Sequence, residues 1–186
     1  MHLTSSISSI ARIVQQGGVI AYPTEAVFGL GCDPANLHAV QQLLAIKKRP
    51  IHKGLILIAS DFEQVRPYLA HSVSPKPEHT QPNNVTWVFS ANAQVSTLLR
   101  GDHQSIAIRV TKHPLVRALC DTLNSPLVST SANITGEAAC YTAQAVVEQF
   151  QHHSLAPDAI LDGPTSGQLN PTEIRDALSG QILRHS

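Results

Sequence analysis

The chain has 186 residues, 42% apolar and 14% charged, with 13 Lys+Arg against 13 Asp+Glu and so no net charge. That is enough chain for one well-buried core and too little for two full domains, and the balanced charge excludes a general polyanion binder drawn in by a global field. Ten scattered histidines without a His-Glu-x-x-His motif and three distant cysteines, Cys32, Cys120 and Cys140, predict reduced thiols rather than a disulfide framework or a metal centre.

The amino-terminal Met-His-Leu-Thr-Ser-Ser-Ile carries no basic-then-apolar secretory pattern, and no apolar run approaches membrane-spanning length. The expectation is one cytoplasmic domain over residues 1–186. Ser5 or Ser6 can cap a first helix with Ile7, Ile10, Ala11 and Val14 at helical spacing, ended by Gly17 and Gly18. Residues 19–22 read as a short buried strand, followed by Pro23-Thr24-Glu25-Ala26-Val27-Phe28-Gly29-Leu30-Gly31. This hydroxyl, carboxylate and glycine loop falls at the strand's carboxyl end, where open α/β sheets bind ligands. Its glycines do not spell a dinucleotide or P-loop motif, because Pro34 stands where the third glycine is needed and no Gly-Lys-Ser/Thr follows.

Residues 36–46 read as an amphipathic helix that Pro50 prevents from continuing, and residues 55–59 as a buried strand. Lys47, Arg49 and Lys53 then lie on the connection, free to face a ligand. Helix C-termini favour cations in any case, so the local sequence supports either an anion site or a solvated helix end. A short helix capped by Asp61 is predicted over residues 61–69, and the proline-bearing stretch 71–84 reads as a surface loop able to act as a lid.

Residues 85–89 form the next predicted strand, and 91–104 a polar connection with a short helical turn. In Ser105-Ile106-Ala107-Ile108-Arg109-Val110 the isoleucines alternate with Ser105, Ala107 and Arg109, placing a hydroxyl and a guanidinium on one side of a strand. An arginine among such apolar neighbours needs an anionic partner if buried. A helix follows from His113-Pro114 to about Asn124, then a short strand at Leu127 and Val128. The loop Ser129-Thr130-Ser131-Ala132-Asn133-Ile134-Thr135-Gly136 offers hydrogen-bonding groups with little bulk, suited either to phosphate oxygens or to capping the helix of residues 142–150. No Gly-x-Ser-x-Gly elbow marks a nucleophile. A strand at 159–161, a turn-rich loop at 162–167, and a hairpin of strands 172–176 and 181–184 turning at Ser179 and Gly180 complete the chain. From residues alone these loops describe a concave site for something phosphorylated, where positioning and charge neutralisation carry the chemistry.

Taken in order, residues 22–31, Lys47-x-Arg49-Pro50 with Lys53-Gly54-Leu55-Ile56, residues 105–109 and Ser129-Thr130-Ser131-Ala132-Asn133 resemble the successive signatures of the YrdC-like family. Together with the ending Asn170-Pro171-Thr172-Glu173-Ile174-Arg175-Asp176, the likeness covers nearly the whole chain and points to the short bacterial members. The resemblance implies an α/β fold, a twisted open sheet of mixed parallel and antiparallel strands with helices on both faces and a basic concave cavity. It implies a nucleotidyltransferase that joins L-threonine, bicarbonate and ATP into threonylcarbamoyl-adenylate and pyrophosphate. A separate threonylcarbamoyl transferase complex would then modify the adenosine beside the anticodon of tRNA. Mg²⁺ would accompany ATP, with no permanently bound cofactor and no protein nucleophile.

By motif position, the resemblance assigns ATP contacts to Lys47, Arg49, Lys53, Ser105, Ser131, Asn133 and Arg184, and threonine contacts to Thr24, Arg109 and Ser129. Two positions depart from many relatives, Ala26 for a second Thr and Lys53 for Asn. The length implies no extra carboxyl-terminal domain. The alternative is a double-stranded RNA-binding factor in rRNA maturation, also a reading of the family's basic concavity, although neutral charge offers few further phosphate contacts.

Overall fold

The computed structural model describes residues 1–185. In chain order the elements are β1 (His2–Thr4), α1 (Ile7–Gln15), β2 (Ile20–Pro23), β3 (Phe28–Gly31), α2 (Leu37–Lys47), β4 (Ile56–Ala59), α3 (Pro77–Thr80), β5 (Val85–Ser90), α4 (Thr97–Arg100), β6 (Ser105–Val110), α5 (Pro114–Leu123), β7 (Leu127–Ser131), α6 (Ala143–Phe150), β8 (Ala159–Leu161), β9 (Glu173–Asp176) and β10 (Ile182–Arg184). The strands form one sheet in the order β1-β8-β2-β3-β7-β4-β6-β5-β9-β10. The sheet combines parallel pairs such as β4–β6 and β5–β9 with antiparallel ones such as β2–β3 and β4–β7, the mixed open sheet expected.

The period-two alternation of the strands divides the core between the two faces. Ile20, Tyr22, Ile58 and Leu127 pack with Ile10, Val14, Val116 and Leu119 of α1 and α5. Ala21, Leu57, Ala59 and Val128 point the other way, toward Val40 and Leu43 of α2 and Val146 and Phe150 of α6. Helices therefore cover both faces. Ser6, Asn36 and Thr142 cap α1, α2 and α6 by accepting backbone N–H groups three residues on.

Several elements differ from expectation. Strand β1 pairs with β8 through backbone bonds that a His-Leu-Thr segment does not advertise. The glycine-bearing stretch after Pro23 is a tight turn followed by β3, antiparallel to β2 and to β7. Gly31 is needed there, since a Cβ would stand 2.5 Å from the Val128 carbonyl oxygen and 2.6 Å from the Tyr22 ring. The hydroxyl run begins as strand, with Ser129, Thr130 and Ser131 in β7. The short helix expected over residues 61–69 is present, capped by Asp61, and is of the 3₁₀ kind over Phe62–Tyr68 with Pro67 inside. The stretch 71–84 includes α3, whose His79 packs 4.5 Å from the Trp87 ring and 5.1 Å from Phe89, so it covers the far part of the sheet.

Candidate functional site

Helix α2 ends because Lys48 turns left-handed, with φ 50°, and the Arg49 N–H reaches back to the Leu44 carbonyl at 2.9 Å. That closure throws Arg49 off the helix toward the sheet. Its Nε and Nη2 both donate to the Gly54 carbonyl, at 3.1 and 2.9 Å, which leaves Nη1 for a ligand. Two cavities of about 270 and 280 Å³ meet at Arg49, Leu55, Ile56 and Arg184. They are two lobes of one hollow, and the β7–β4–β6 strands form its floor.

The first lobe is lined by Thr24, Arg109, Ser129, Ser131, Tyr141 and Thr172 among others. Arg109, on β6, is 7% exposed. Its Nη1 donates to Thr172 Oγ1 at 3.1 Å, its Nη2 lies 3.5 Å from Glu25 Oε2, and its Nε is buried without a partner. A buried guanidinium, a group that recognises carboxylates, thus stands in the wall of the first lobe with Glu25 and Thr172 beside it. Glu25 is itself held by the Thr111 hydroxyl and, at 3.3 Å, by the Lys112 N–H. Burial alone would raise the Glu25 carboxyl, but Arg109 and the Thr111 hydrogen bond outweigh it and hold it below the ordinary range.

The second lobe is lined by Lys53, Arg100, His103 and Ser105 beside Arg49 and Arg184. Lys53 is exposed at its rim. Arg184 reaches inward from the edge strand β10, its Nη2 donating to the Thr172 carbonyl at 2.8 Å. Burial first, then Arg184, lowers the Arg49 pKa, and burial first, then Arg109, lowers that of Arg184. The charge of Arg184 thus stands close enough to Arg49 and to Arg109 for repulsion at the hollow, a cost that an anion relieves.

Lys47 and Asn133 stand elsewhere than on the cavity wall. The Lys47 ammonium donates to Ser131 O at 2.7 Å, Asn133 Oδ1 at 2.8 Å, and Ser131 Oγ and Asn133 O at 3.1 Å each. It is the last residue of α2 and is buried, rather than lying on an open connection. Burial, then the Arg49 charge, brings its pKa down to about 8. Lys47 pins the loop after β7, and through it Ser131, which does line the hollow. Thr24 Oγ1 donates to the Val27 carbonyl at 2.7 Å, closing the β2–β3 turn while the residue lines the first lobe.

Pro171 and Thr172, at the end of the segment that follows β8, line the first lobe, whereas the stretch 71–84, read as able to act as a lid, contributes nothing to its lining among the described residues. Ser166 and Gln168 N–H groups bond the Thr24 and Glu25 carbonyls at 3.2 and 3.0 Å. His113 Nε2 lies 3.1 Å from the Pro164 carbonyl, and because that oxygen only accepts, Nε2 carries the proton. Thr172 and Tyr141 were not singled out by sequence; the Asn-Pro-Thr-Glu motif was the available signal for Thr172.

The Sua5/YciO/YrdC family model, described as telomere recombination, matches residues 12–186. The chain belongs to this family. The threonylcarbamoyl-AMP synthase of Photobacterium profundum is 48% identical over 184 residues, 96% of this chain and 98% of that protein. Its namesake from Vibrio campbellii is 47% identical over 184 residues, 96% of this chain and 98% of the relative. P. abyssi Sua5 complexed with L-threonine superposes with a TM-score of 0.83 at 26% identity, over 96% of this chain and 53% of that one. The chain therefore spans about half the length of that Sua5. E. coli YciO, 22% identical, shares the fold with a TM-score of 0.78 over 98% of this chain and 92% of its own. The ordered signatures read from the sequence are thus those of the Sua5/YciO/YrdC family, and the mixed open sheet is the family's fold.

Proposed function

We infer that the chain is a threonylcarbamoyl-AMP synthase, an adenylyl-transferring enzyme of tRNA threonylcarbamoyladenosine synthesis. The observation that carries this reading is the two-lobed hollow, with the buried Arg109 in the wall of one lobe and Arg49 and Arg184 at its junction with the other. The first lobe takes L-threonine, its carboxylate against Arg109 and its hydroxyl side toward Thr24 and Ser129. The second takes ATP, with Ser105 and Lys53 along the nucleotide and the phosphates passing between Arg49 and Arg184, while Lys47 and Asn133 hold Ser131 in place. Ala26 lines the first lobe in place of a second hydroxyl, and Lys53 adds a cation to the second.

The threonine amine and bicarbonate give a carbamate with loss of water. A carbamate oxygen then forms a bond to the α-phosphorus as the bond to the bridging oxygen of pyrophosphate breaks, and the departing charge stays between the guanidiniums. No side chain is acylated or adenylated. The three thiols are buried, and burial pushes Cys120 up to about 12 and Cys140 up to about 11, far from a reactive thiolate. The cavity lining has no carboxylate, and no group of three metal-ligating side chains converges among the described residues. A resident metal does not fit this donor set, so Mg²⁺ enters as the ATP complex.

The product passes to the tRNA-modifying transferase complex in the cytoplasm. No helix among the described residues is long and apolar enough to cross a membrane. Pyrophosphate release measured with each substrate omitted in turn tests the reading. Release requiring threonine, bicarbonate and ATP together is expected, whereas ATP turnover indifferent to threonine, or retention of duplex RNA without such turnover, overturns it.

A further inference from the structure

The proline-bearing stretch 71–84 lines neither lobe of the hollow and lies over the outer part of the sheet. Main-chain bonds tie it at both ends, from the Ala70 N–H to the Ser90 carbonyl at 3.0 Å and from the Asn83 N–H to the Val110 carbonyl at 3.1 Å. Of the described residues 71–84, His79 alone is buried, at 3% exposure, and Val73 adds a half-buried contact. The segment is therefore pegged to the sheet mainly through one side chain. Its ring lies 4.5 Å from that of Trp87 and 5.1 Å from that of Phe89, two residues on the same face of β5.

That ring is held as one neutral tautomer. The Lys76 N–H donates to Nδ1 at 3.1 Å, so Nδ1 carries no proton and Nε2 does. This closes a capping box over α3, in which the His79 N–H donates in turn to the Lys76 carbonyl at 2.9 Å. A second proton would set the Nδ1 N–H against the Lys76 N–H, donor against donor, and bury a full charge beside Trp87 and Phe89. The aromatic faces attract a cation, but burial outweighs them and lowers the His79 pKa from its ordinary value, with Glu78 opposing and Lys76 assisting.

Few charges face the ring. Its own segment carries Lys76, Glu78 and His71, all exposed, and β5 carries none. On β6 the register sets Ile108 opposite Trp87, which leaves Arg109 on the other face. Glu63 and Arg66 pair with each other at 2.8 Å beside Phe62, and Arg175, opposite Trp87 on β9, pairs with Glu173. The carboxylates of the neighbouring elements are thus taken.

We propose that His79 is an acid-released latch: while its ring is neutral it holds the segment 71–84 against β5, and its protonation frees that segment from Trp87 and Phe89. Above about pH 6.5 an imidazole is neutral whether the segment is closed or open, and acid has no leverage. Below it the open form takes the proton first. Closure therefore weakens as pH falls, by up to about tenfold per pH unit until the closed ring titrates as well.

Amide hydrogen exchange of the peptide 71–84, corrected for intrinsic rates, is followed from about pH 8 to about pH 4.5, just above the ordinary carboxylate values. Wild type is compared with His79→Gln, His79→Phe and His71→Gln. Gln keeps the capping-box acceptor and Phe keeps the ring, and neither titrates. Wild type and His71→Gln are expected to hold their protection down to about pH 6.5 and then lose up to about tenfold per pH unit, with far-UV circular dichroism unchanged. The two His79 variants are expected to show a flat profile.

Wild-type protection indifferent to acid, an equal acid loss in His79→Gln and His79→Phe, a loss abolished by His71→Gln, or collapse of the whole fold in the same step would overturn the proposal. Should both His79 variants be unprotected already at about pH 8, a wild-type slope below about pH 6.5 still supports the latch and its absence still overturns it. Neither ATP nor threonine enters the measurement, so the result is independent of the function assigned to the hollow.

Discussion

Replacing Glu25 by Gln tests the charge that stands behind Arg109. Gln keeps an acceptor for the Thr111 hydroxyl and the Lys112 N–H, but turns an amide donor toward a guanidinium that has only donors. At the 3.5 Å separation of Glu25 Oε2 from Arg109 Nη2, the lost attraction is about 5 kcal/mol gross at an effective dielectric of about 20. Removing one partner of a buried pair leaves a net loss of roughly 3–5 kcal/mol. Because the other two hydrogen bonds survive, about 3 kcal/mol is expected, a fall in Tm of about 6–12 °C for a chain of this size.

The acid side gives an independent check. A carboxyl held below its ordinary range binds a proton less readily folded than unfolded. The stability it contributes is therefore complete above the unfolded pKa and is lost as pH falls through the lower folded value. Thermal denaturation of both proteins from pH 7 down through the carboxylate range reads both effects. A Glu25→Gln protein that melts within about 2 °C of wild type at neutral pH, with the same acid-side slope, would refute the ion-pair argument.

Arg49→Ala is expected to raise the ATP requirement at least about tenfold and Arg109→Ala the threonine requirement by a similar factor, both with unchanged circular dichroism. Exchanged effects would reverse the lobe assignment. For Lys47, kcat/KM for ATP should fall above about pH 8 as the free enzyme's ammonium loses its proton, and Lys47→Met should lack that limb. Its stability contribution runs the opposite way: between about 8 and the ordinary 10.5 the unfolded chain holds the proton more tightly, so that contribution rises with pH. Gly31→Ala should cost more than about 2 kcal/mol by denaturant titration, because the Val128 carbonyl and the Tyr22 ring leave no room for a methyl.

The helices and central strands were legible because their apolar spacing and caps agree, as at Ile10, Ala11 and Val14 of α1 after Ser6. Strand β3 was not, since Gly29 and Gly31 signal a turn locally and close packing only in three dimensions. At the site, the alternation of Ser105 to Arg109 put both on one side of a strand, and Arg109 lines the first lobe and Ser105 the second. The partners of Arg109 were hidden. Glu25 and Thr172 lie far from Arg109 along the chain, and only the folded sheet brings them against it. For Lys47 the basic run was visible, but its burial against Ser131 and Asn133 depends on where β7 ends.

The guanidiniums of Arg49, Arg109 and Arg184 surround a hollow in a molecule whose 13 cations and 13 anions cancel. Beyond a screening length of about 8 Å in physiological salt, such a protein presents no summed attraction, so capture operates at contact range. Encounter with its anion is thus governed by shape and diffusion rather than by steering, and the rate of association should hardly change with ionic strength. A short multiply charged molecule able to enter the hollow meets three guanidiniums at once.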